Sequence, residues 1–148
     1  IYTDDQIIQA ARNSCIYQNI MDFPNGFKTI LGERGVNLSG GQKQRISIAR
    51  ALLKDPEILI LDDALSAVDT VTESEILSNL RRVRQGKTTI IIASRISAVM
   101  DADEIIVLDQ GKICERGTHE QLLAKGGTYH EIYQYQFGKS SPADFCAS

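Results

Sequence analysis

The sequence predicts an α/β fold in which a parallel β-sheet is flanked by helices. Two continuous apolar runs, at 57–62 and 87–94, have the length and composition of strands that are buried in a sheet. Segments with helical periodicity precede the first run, separate the two runs and follow the second. This alternation is typical of parallel sheets, whose crossover connections place helices on the sheet faces.

Length and composition narrow the possible classes of protein. The 148 residues suffice for at most one ordinary domain, and 43% hydrophobic with 24% charged residues fits a globular core. The net charge of -3 and the lack of a basic stripe argue against a nucleic-acid surface. No stretch has the roughly 20 apolar residues that a membrane-spanning helix needs. The cysteines and histidines lack metal-ligand spacing, and we assign them no chemical role.

The first third of the chain is predicted to form a helix, a turn and a loop. Residues 3–23 carry apolar side chains near helical spacing, and Thr3 or Asp4 can serve as the N-cap. Glycines mark the turn at 23–26 and the loop at 29–37.

A second helix is predicted from Ser39 to about Lys54. Ser39 and Gln42 have the S-x-x-Q spacing of a capping box, in which two side chains satisfy free backbone groups at the helix start. The helix ends before Pro56. The face that we expect to be buried consists of Ile46, Ala49, Leu52 and Leu53.

The first apolar run, 57–62, is predicted to be a strand covered on both faces, because no polar residue interrupts it between Glu57 and Asp62. A helix at 70–86, closed by Gly86, leads to the second buried strand at 87–94.

The rest of the chain is predicted to be a short helical crossover, a hairpin and further helices. The crossover occupies 95–102, and the hairpin at 104–119 turns at the sequence "DQG". Thr118 and Gln121 have capping-box spacing at the start of the next helix. Helical pattern continues to about residue 136, before a frayed tail.

Polar residues follow both predicted strands where those strands end. Asp62 and Asp63 end the first strand and Ser94 ends the second. Open α/β sheets bind ligands at the carboxyl ends of their strands. An Asp at such an end is how many nucleotide-hydrolysing enzymes hold Mg²⁺, and a second carboxylate can orient the attacking water. Each residue alone is ordinary at a strand end, but the set predicts a site.

The turn formed by Ser39, Gly40 and Gly41 allows two interpretations. Free N–H groups and the helix dipole favour an anion at a helix N-terminus, and two glycines let a phosphate approach the backbone closely. A plain capped helix start explains the same three residues. The local sequence leaves both interpretations open.

The motifs "LSGGQ", "QRISIARAL", "ILILDD", "SAVD" and "TTIIIASR" together resemble the nucleotide-binding domain of an ATP-binding cassette (ABC) transporter. The resemblance implies part of a RecA-like P-loop NTPase core, with a parallel sheet and flanking helices, plus the end of the ABC helical subdomain. "TILGERG" and "GKICERGTHEQLL" resemble exporters in particular. The implied parts are a remnant of the helical subdomain with a coupling loop (1–37) and the signature motif with its helix (38–54). The C-terminal part of the ATPase core (55–136) and a flexible tail (137–148) follow.

The same resemblance implies roles for individual residues. Asp62 takes the magnesium position of the Walker B strand, Asp63 the catalytic carboxylate position and Ser94 the position of the switch histidine. The signature motif, which contacts ATP bound to a partner domain, consists of Leu38 and the four ATP-binding residues Ser39, Gly40, Gly41 and Gln42. The D-loop, in which Val68 replaces the usual Leu, is implied at Ser66 to Asp69.

Three departures from the family pattern weaken the site of this chain. The family normally has Glu at Asp63, and a carboxylate misplaced by on the order of 1 Å can cost about 100-fold in rate. Ser94 is shorter than histidine and cannot act as an imidazole acid or base. The phosphate-binding sequence G-x-x-x-x-G-K-[ST] does not occur, so we expect it upstream. We therefore expect the chain alone to expose apolar surface, bind ATP poorly and be inactive.

These features predict the ATP-binding part of an ABC exporter, with ATP and Mg²⁺ as cofactors, at the cytoplasmic face of a membrane. The expected partners are transmembrane domains and a second, non-identical nucleotide-binding domain, with no nucleic acid. The intact signature would serve the partner's ATP, whereas Asp63 and Ser94 would make the chain's own site degenerate. Two alternatives stay open: a non-hydrolysing ATP-dependent dimerisation module, and a soluble ABC protein.

Overall fold

A computed structural model describes residues 1–32 and 36–138 of the chain. The chain divides into two compact units, Ile1–Ser94 and Arg95–Ser148. The elements of the first unit are α1 (Asp4–Asn13), α2 (Tyr17–Met21), a 3₁₀ helix (Gly26–Lys28), α3 (Gly40–Leu53), β1 (Ile58–Asp62), α4 (Thr70–Val83) and β2 (Thr88–Ile92). Those of the second are a 3₁₀ helix (Ile96–Ala98), β3 (Ile105–Asp109), β4 (Lys112–Gly117), α5 (His119–Lys125) and α6 (Thr128–Phe137).

The single helix predicted for 3–23 is wrong, because the chain breaks between α1 and α2. The break lies at Cys15, whose φ of 56° is left-handed. The amide of Ile16 donates to the carbonyl of Ala11, five residues back, which closes the end of α1. Ile16 is completely buried beside α1 and α3. The start of α1 is as predicted, with Thr3 as the N-cap of a capping box.

Helix α3 begins at Ser39 as predicted, and both hydrogen bonds of its capping box are present. The face that it buries differs from the prediction, because α3 packs against neighbours on two sides. Ala49 lies in a cluster with α1, whereas Ile48, which the periodicity missed, packs against β1 and α4. Ile46 is only partly buried.

Strands β1 and β2 pair in parallel, with Ile60 opposite Ile90. The predicted burial on both faces of β1 is wrong. Leu59 and Leu61 are buried against α3 and α4, but Ile58 and Ile60 are 60% and 59% exposed. No described residue covers that second face, on which Ile90 is also exposed. The expectation that the chain exposes apolar surface is therefore confirmed.

Helix α4 begins after Asp69, whose carboxylate accepts a hydrogen bond from the Thr72 amide. It ends three residues before the predicted Gly86, which has a φ of 79° in the turn to β2. The buried guanidinium of Arg84 secures this turn by donating to the Thr89 hydroxyl and to two carbonyls. A polar anchor thus fixes the start of β2.

The second unit contains the predicted hairpin, in which β3 and β4 are antiparallel. Its turn uses Gln110 and Gly111, with φ of 46° and 74°. Thr118 caps α5 through the predicted capping box with Gln121. The predicted crossover helix is shorter than expected and is reduced to one 3₁₀ turn. The core of this unit consists of Ile96, Ile105, Leu122 and Tyr129.

Within the second unit, a buried carboxylate caps α6. Glu115 on β4 is 6% exposed, and its Oε2 accepts a 2.7 Å hydrogen bond from the amide of Tyr129 in the first turn of that helix. Negative charge at this position is stabilised by the helix dipole. A Cβ atom added at Gly127 would clash with the same carboxylate, so a larger residue there would displace the cap.

We expect Glu115→Gln to loosen α6 because it removes this charge but keeps the size of the side chain. The loss of about 1 kcal/mol of local stability should speed hydrogen exchange of the α6 amides about fivefold, measured in the intact protein. Glu120→Gln, an exposed change in the same unit, is the matched control and should alter exchange of α6 little. Equal exchange in both variants would contradict the capping role.

Parts of two predicted segments lie outside the described residues: 33–35 of the coupling loop at 29–35, and all but the first two residues of the tail at 137–148. Among the helices described, none has both the length and the apolar character needed to cross a membrane.

Candidate nucleotide-binding site

The structure brings Asp62, Asp63 and Ser94 to one edge of the β1–β2 sheet, as predicted. Asp62 pairs with Ile92 in the parallel register, and the amide of Asp63 donates to the Ile92 carbonyl at 2.9 Å. Ser94 follows two residues after Ile92. All three polar residues are exposed. They can therefore meet a ligand that approaches the carboxyl ends of the strands.

The backbone of Asp63 is held in an uncommon conformation. Its φ of 51° is left-handed, a region in which Asp is enriched over longer side chains. Its amide is bonded to β2, and its carbonyl accepts hydrogen bonds from the side chains of Gln44 (3.1 Å) and Ser66 (3.2 Å). Asp63 is one methylene shorter than the glutamate that the resemblance leads us to expect at this position. Because both of its backbone groups are bonded, only rotation of the side chain can compensate for that difference.

Asp62 fits the role of a magnesium ligand beside a phosphate. It follows Ile58 and Ile60 on the exposed face of β1, at the carboxyl end of the strand. Mg²⁺ is commonly held by one or two carboxylates together with water and substrate phosphates. No cluster of three or more His, Cys, Asp or Glu residues within 1–32 and 36–138 could hold a metal. The residues present thus suit an ion shared with a nucleotide, rather than one enclosed by protein.

The turn at the start of α3 presents backbone N–H groups outward from the helix end. The capping box uses the amides of Ser39 and Gln42, at 2.9 and 3.2 Å from their side-chain acceptors. The first intrahelical bond is made by the Lys43 amide to the Ser39 carbonyl. The amides of Gly40 and Gly41 precede that bond, and the Ser39 hydroxyl keeps its hydrogen for a further acceptor. This geometry suits an anion.

The two glycines of this turn have a second role that sequence reasoning missed. A Cβ atom at Gly41 would lie 2.8 Å from the carbonyl oxygen of Ala67, and one at Gly40 would lie 3.3 Å from the Ala67 Cβ. A contact of 2.8 Å to backbone cannot be accommodated without a shift. Glycine is therefore needed at position 41, because residue 67 packs directly against the turn.

Gln44 joins α3 to the segment after β1, and sequence reasoning missed it as well. Its Nε2 donates to the Asp63 carbonyl at 3.1 Å and to the Ser66 hydroxyl at 2.8 Å. Its Oε1 accepts from the Ala67 amide at 2.8 Å. Nothing local in the sequence marks this residue, because its partners lie 19 to 23 positions away.

Arg45, the next residue of α3, reaches in the other direction. Its Nε donates to the Gly41 carbonyl at 3.3 Å. Its Nη1 donates to the carbonyl of Cys15 and, at 2.9 Å, to the side chain of Asn19. The start of α3 is thus braced against the junction between α1 and α2.

Known proteins have a similar sequence and fold. A sequence profile of the family described as "ABC transporter" matches residues 5–66. The chain is 55% identical over 134 residues to a probable multidrug resistance ABC transporter ATP-binding/permease protein, YheI, of Bacillus subtilis. It is also 55% identical over 134 residues to the multidrug resistance-like ATP-binding protein MdlA of Escherichia coli. Each alignment covers 90% of this chain and 23% of the relative.

A solved structure of a bacterial Atm1-family ABC exporter with ATP bound matches with a TM-score of 0.85 and 45% identity, over 94% of this chain. Together these matches support an ATP-binding domain like those of exporter-type ABC transporters. The chain spans about a quarter of the length of these relatives, 23% of the curated proteins and 24% of the solved chain. The predicted α/β fold with a parallel sheet and flanking helices is confirmed by this match.

The two residues predicted for the D-loop, Ser66 and Asp69, contact different parts of the structure. Ser66 contacts Gln44 on α3. Asp69 caps α4, and the hydrogen bond from the Thr72 amide holds the pKa of the Asp69 carboxyl below its usual value. That carboxylate is therefore ionised at neutral pH. The structure brings Ser66 to α3, whereas Asp69 belongs to the start of α4.

Proposed function

We propose that the chain is part of the ATP-binding subunit of an ABC exporter, in which ATP binding and hydrolysis drive transport across a membrane. The observation that carries the proposal is a packing contact between two parts of the site. The turn that begins α3, whose geometry suits a phosphate, packs directly on the segment 63–67, which follows Asp62 at the end of β1. The identity to transporter proteins supports it. The domain would lie at the cytoplasmic face of the membrane, beside transmembrane domains.

The two groups of site residues would act on different nucleotides. Ser39, Gly40, Gly41 and Gln42 would contact the phosphates of ATP held by a second nucleotide-binding domain. Asp62 and Asp63 would face the nucleotide of this domain, with Asp62 holding Mg²⁺. ATP supplies the phosphoanhydride bond that is cleaved, and Mg²⁺ neutralises charge on its phosphates.

We propose further that this domain's own site is degenerate and that its partner is a non-identical subunit. The carboxylate of Asp63 is one methylene shorter than the usual Glu, and its backbone is bonded on both sides. Ser94 can donate a hydrogen bond but cannot carry the charge of an imidazolium. Hydrolysis would then occur mainly at the partner's site, and ATP at this site would hold the pair together.

The lack of a phosphate-binding motif affects what the 148 residues can do by themselves. The 148 residues contain no G-x-x-x-x-G-K-[ST] sequence to grip the β-phosphate. We therefore expect residues 1–148 alone to bind ATP weakly and to hydrolyse none. Hydrolysis would require a phosphate-binding loop and the signature motif of a partner domain.

The proposal is tested by fractionating cells that make the intact protein, purifying it from the fraction that holds it, and measuring ATP hydrolysis under single-turnover conditions. We expect co-purification with a membrane-spanning partner, and hydrolysis that depends on both subunits. A pair that assembles with ATP but never hydrolyses it would indicate a dimerisation module instead. Recovery of the protein without any membrane component would indicate a soluble ABC protein.

A further inference from the structure

We propose that Gln44 is a positioning residue that locks the signature turn to the segment at 63–67, so that the two half-sites of this chain move together. The inference rests on the proposed function, in which these half-sites serve different nucleotides. It concerns a residue outside the signature, Walker B and D-loop positions predicted from the sequence.

The first argument is the completeness of the hydrogen bonding at Gln44. The Ala67 amide can only donate and the Asp63 carbonyl can only accept, so the two ends of the Gln44 amide are fixed in orientation. A third bond, to the Ser66 hydroxyl, is 2.8 Å long. Three bonds to three successive parts of one segment define its position relative to α3.

The second argument is the packing on the other side of that segment. Ala67 lies close to Gly40 and Gly41: a Cβ atom added at these glycines would come within 3.3 and 2.8 Å of it. The first residue of the segment, Asp63, is bonded through its amide to Ile92 on β2. Contacts therefore run without a gap from the signature turn, through Gln44, to the strand end that carries the catalytic position.

This connection would let one site respond to the other within a single chain. A shift of Asp63 as its own nucleotide binds would displace Gln44, and with it the turn that contacts the partner's phosphates. Hydrolysis is sensitive to displacements on the order of 1 Å. Gln44 would thus affect the rate of the chemical step and leave ATP binding nearly unchanged.

The test compares Gln44→Ala, Gln44→Glu and wild type in the intact protein with its partner. In Gln44→Ala the Ala67 amide loses its acceptor, so we expect its hydrogen exchange to rise about tenfold. We expect kcat for ATP to fall about tenfold, with KM changed less than about twofold. Gln44→Glu keeps the acceptor but not the donors, so its hydrogen exchange at Ala67 and its kcat should lie between those of Gln44→Ala and wild type. Ser47→Ala, an exposed change on the same helix, is the control and should match wild type.

Two outcomes would overturn the inference. Unchanged exchange at Ala67 in Gln44→Ala would show that the side chain does not hold the segment. Faster exchange with normal kcat would show that the connection does not position the site. A wild-type pair that neither binds nor hydrolyses ATP would instead contradict the proposed function. Faster hydrogen exchange at Ala67 in Gln44→Ala would still support the connection itself.

Discussion

Replacing Gly41 by alanine is expected to lower ATP hydrolysis by the assembled pair about 100-fold. The new Cβ would lie 2.8 Å from the carbonyl oxygen of Ala67, so the backbone of the signature turn must shift. A shift on the order of 1 Å misaligns N–H groups that act only at one geometry. In the proposed pair these groups face the partner's nucleotide, so the site that would fail is the one proposed to be competent. Phosphate release at saturating ATP measures the effect.

Gly86→Ala is the matched control for this prediction. Gly86 has a φ of 79°, so alanine is strained there, but its added Cβ meets no atom within 4 Å. We expect a loss of about 1 kcal/mol in stability with nearly normal hydrolysis. If the pair with Gly41→Ala hydrolysed ATP like wild type and remained assembled, the role given to the signature turn would be wrong.

Lengthening Asp63 to glutamate is expected to raise hydrolysis at this domain's own site about tenfold or more. The added methylene returns the carboxylate to the reach that is usual in the family, and misplacement on the order of 1 Å costs up to about 100-fold. Ser94 is unchanged in this variant, so the recovery is partial. The gain is measured in a pair whose partner site has been inactivated, so that only this site contributes.

Asp55→Glu controls for the backbone in this experiment. Asp55 also has a left-handed φ, 44° against 51° for Asp63, and it is exposed. Glutamate is less favoured than Asp in this conformation, so both variants should lose a similar, small amount of stability. Only Asp63→Glu should gain hydrolysis. A pair in which neither variant gains activity would contradict the view that side-chain length limits this site.

Local signals in the sequence predicted the helix starts and the site edge well. Thr3, Ser39 and Thr118 each begin a helix through a capping box, because the partner side chain lies three residues away. Asp62 and Ser94 were placed together because parallel strands end at the same edge. These predictions need only spacing along the chain and the geometry of one sheet.

Features that depend on distant contacts were not predictable. The break at Cys15 carries no glycine signal, and the burial of Ile16 decides it. The all-apolar composition of β1 suggested two covered faces, but the described residues supply neighbours for only one, and Ile60 is left exposed. The sequence gives no sign that Gln44 differs from other helix residues, because its partner Ala67 comes close only in the folded chain.

The most direct test of the divided site is the effect of Asp63→Asn on transport and ATP hydrolysis by the intact pair, measured beside Gly41→Ala. Asn has the size of Asp and is equally suited to a left-handed backbone, so only the negative charge is lost. We expect hydrolysis and transport within about twofold of wild type, because the proposal places the chemistry at the partner's site. A loss as deep as that of Gly41→Ala would show that Asp63 is a working catalytic residue and would contradict the account.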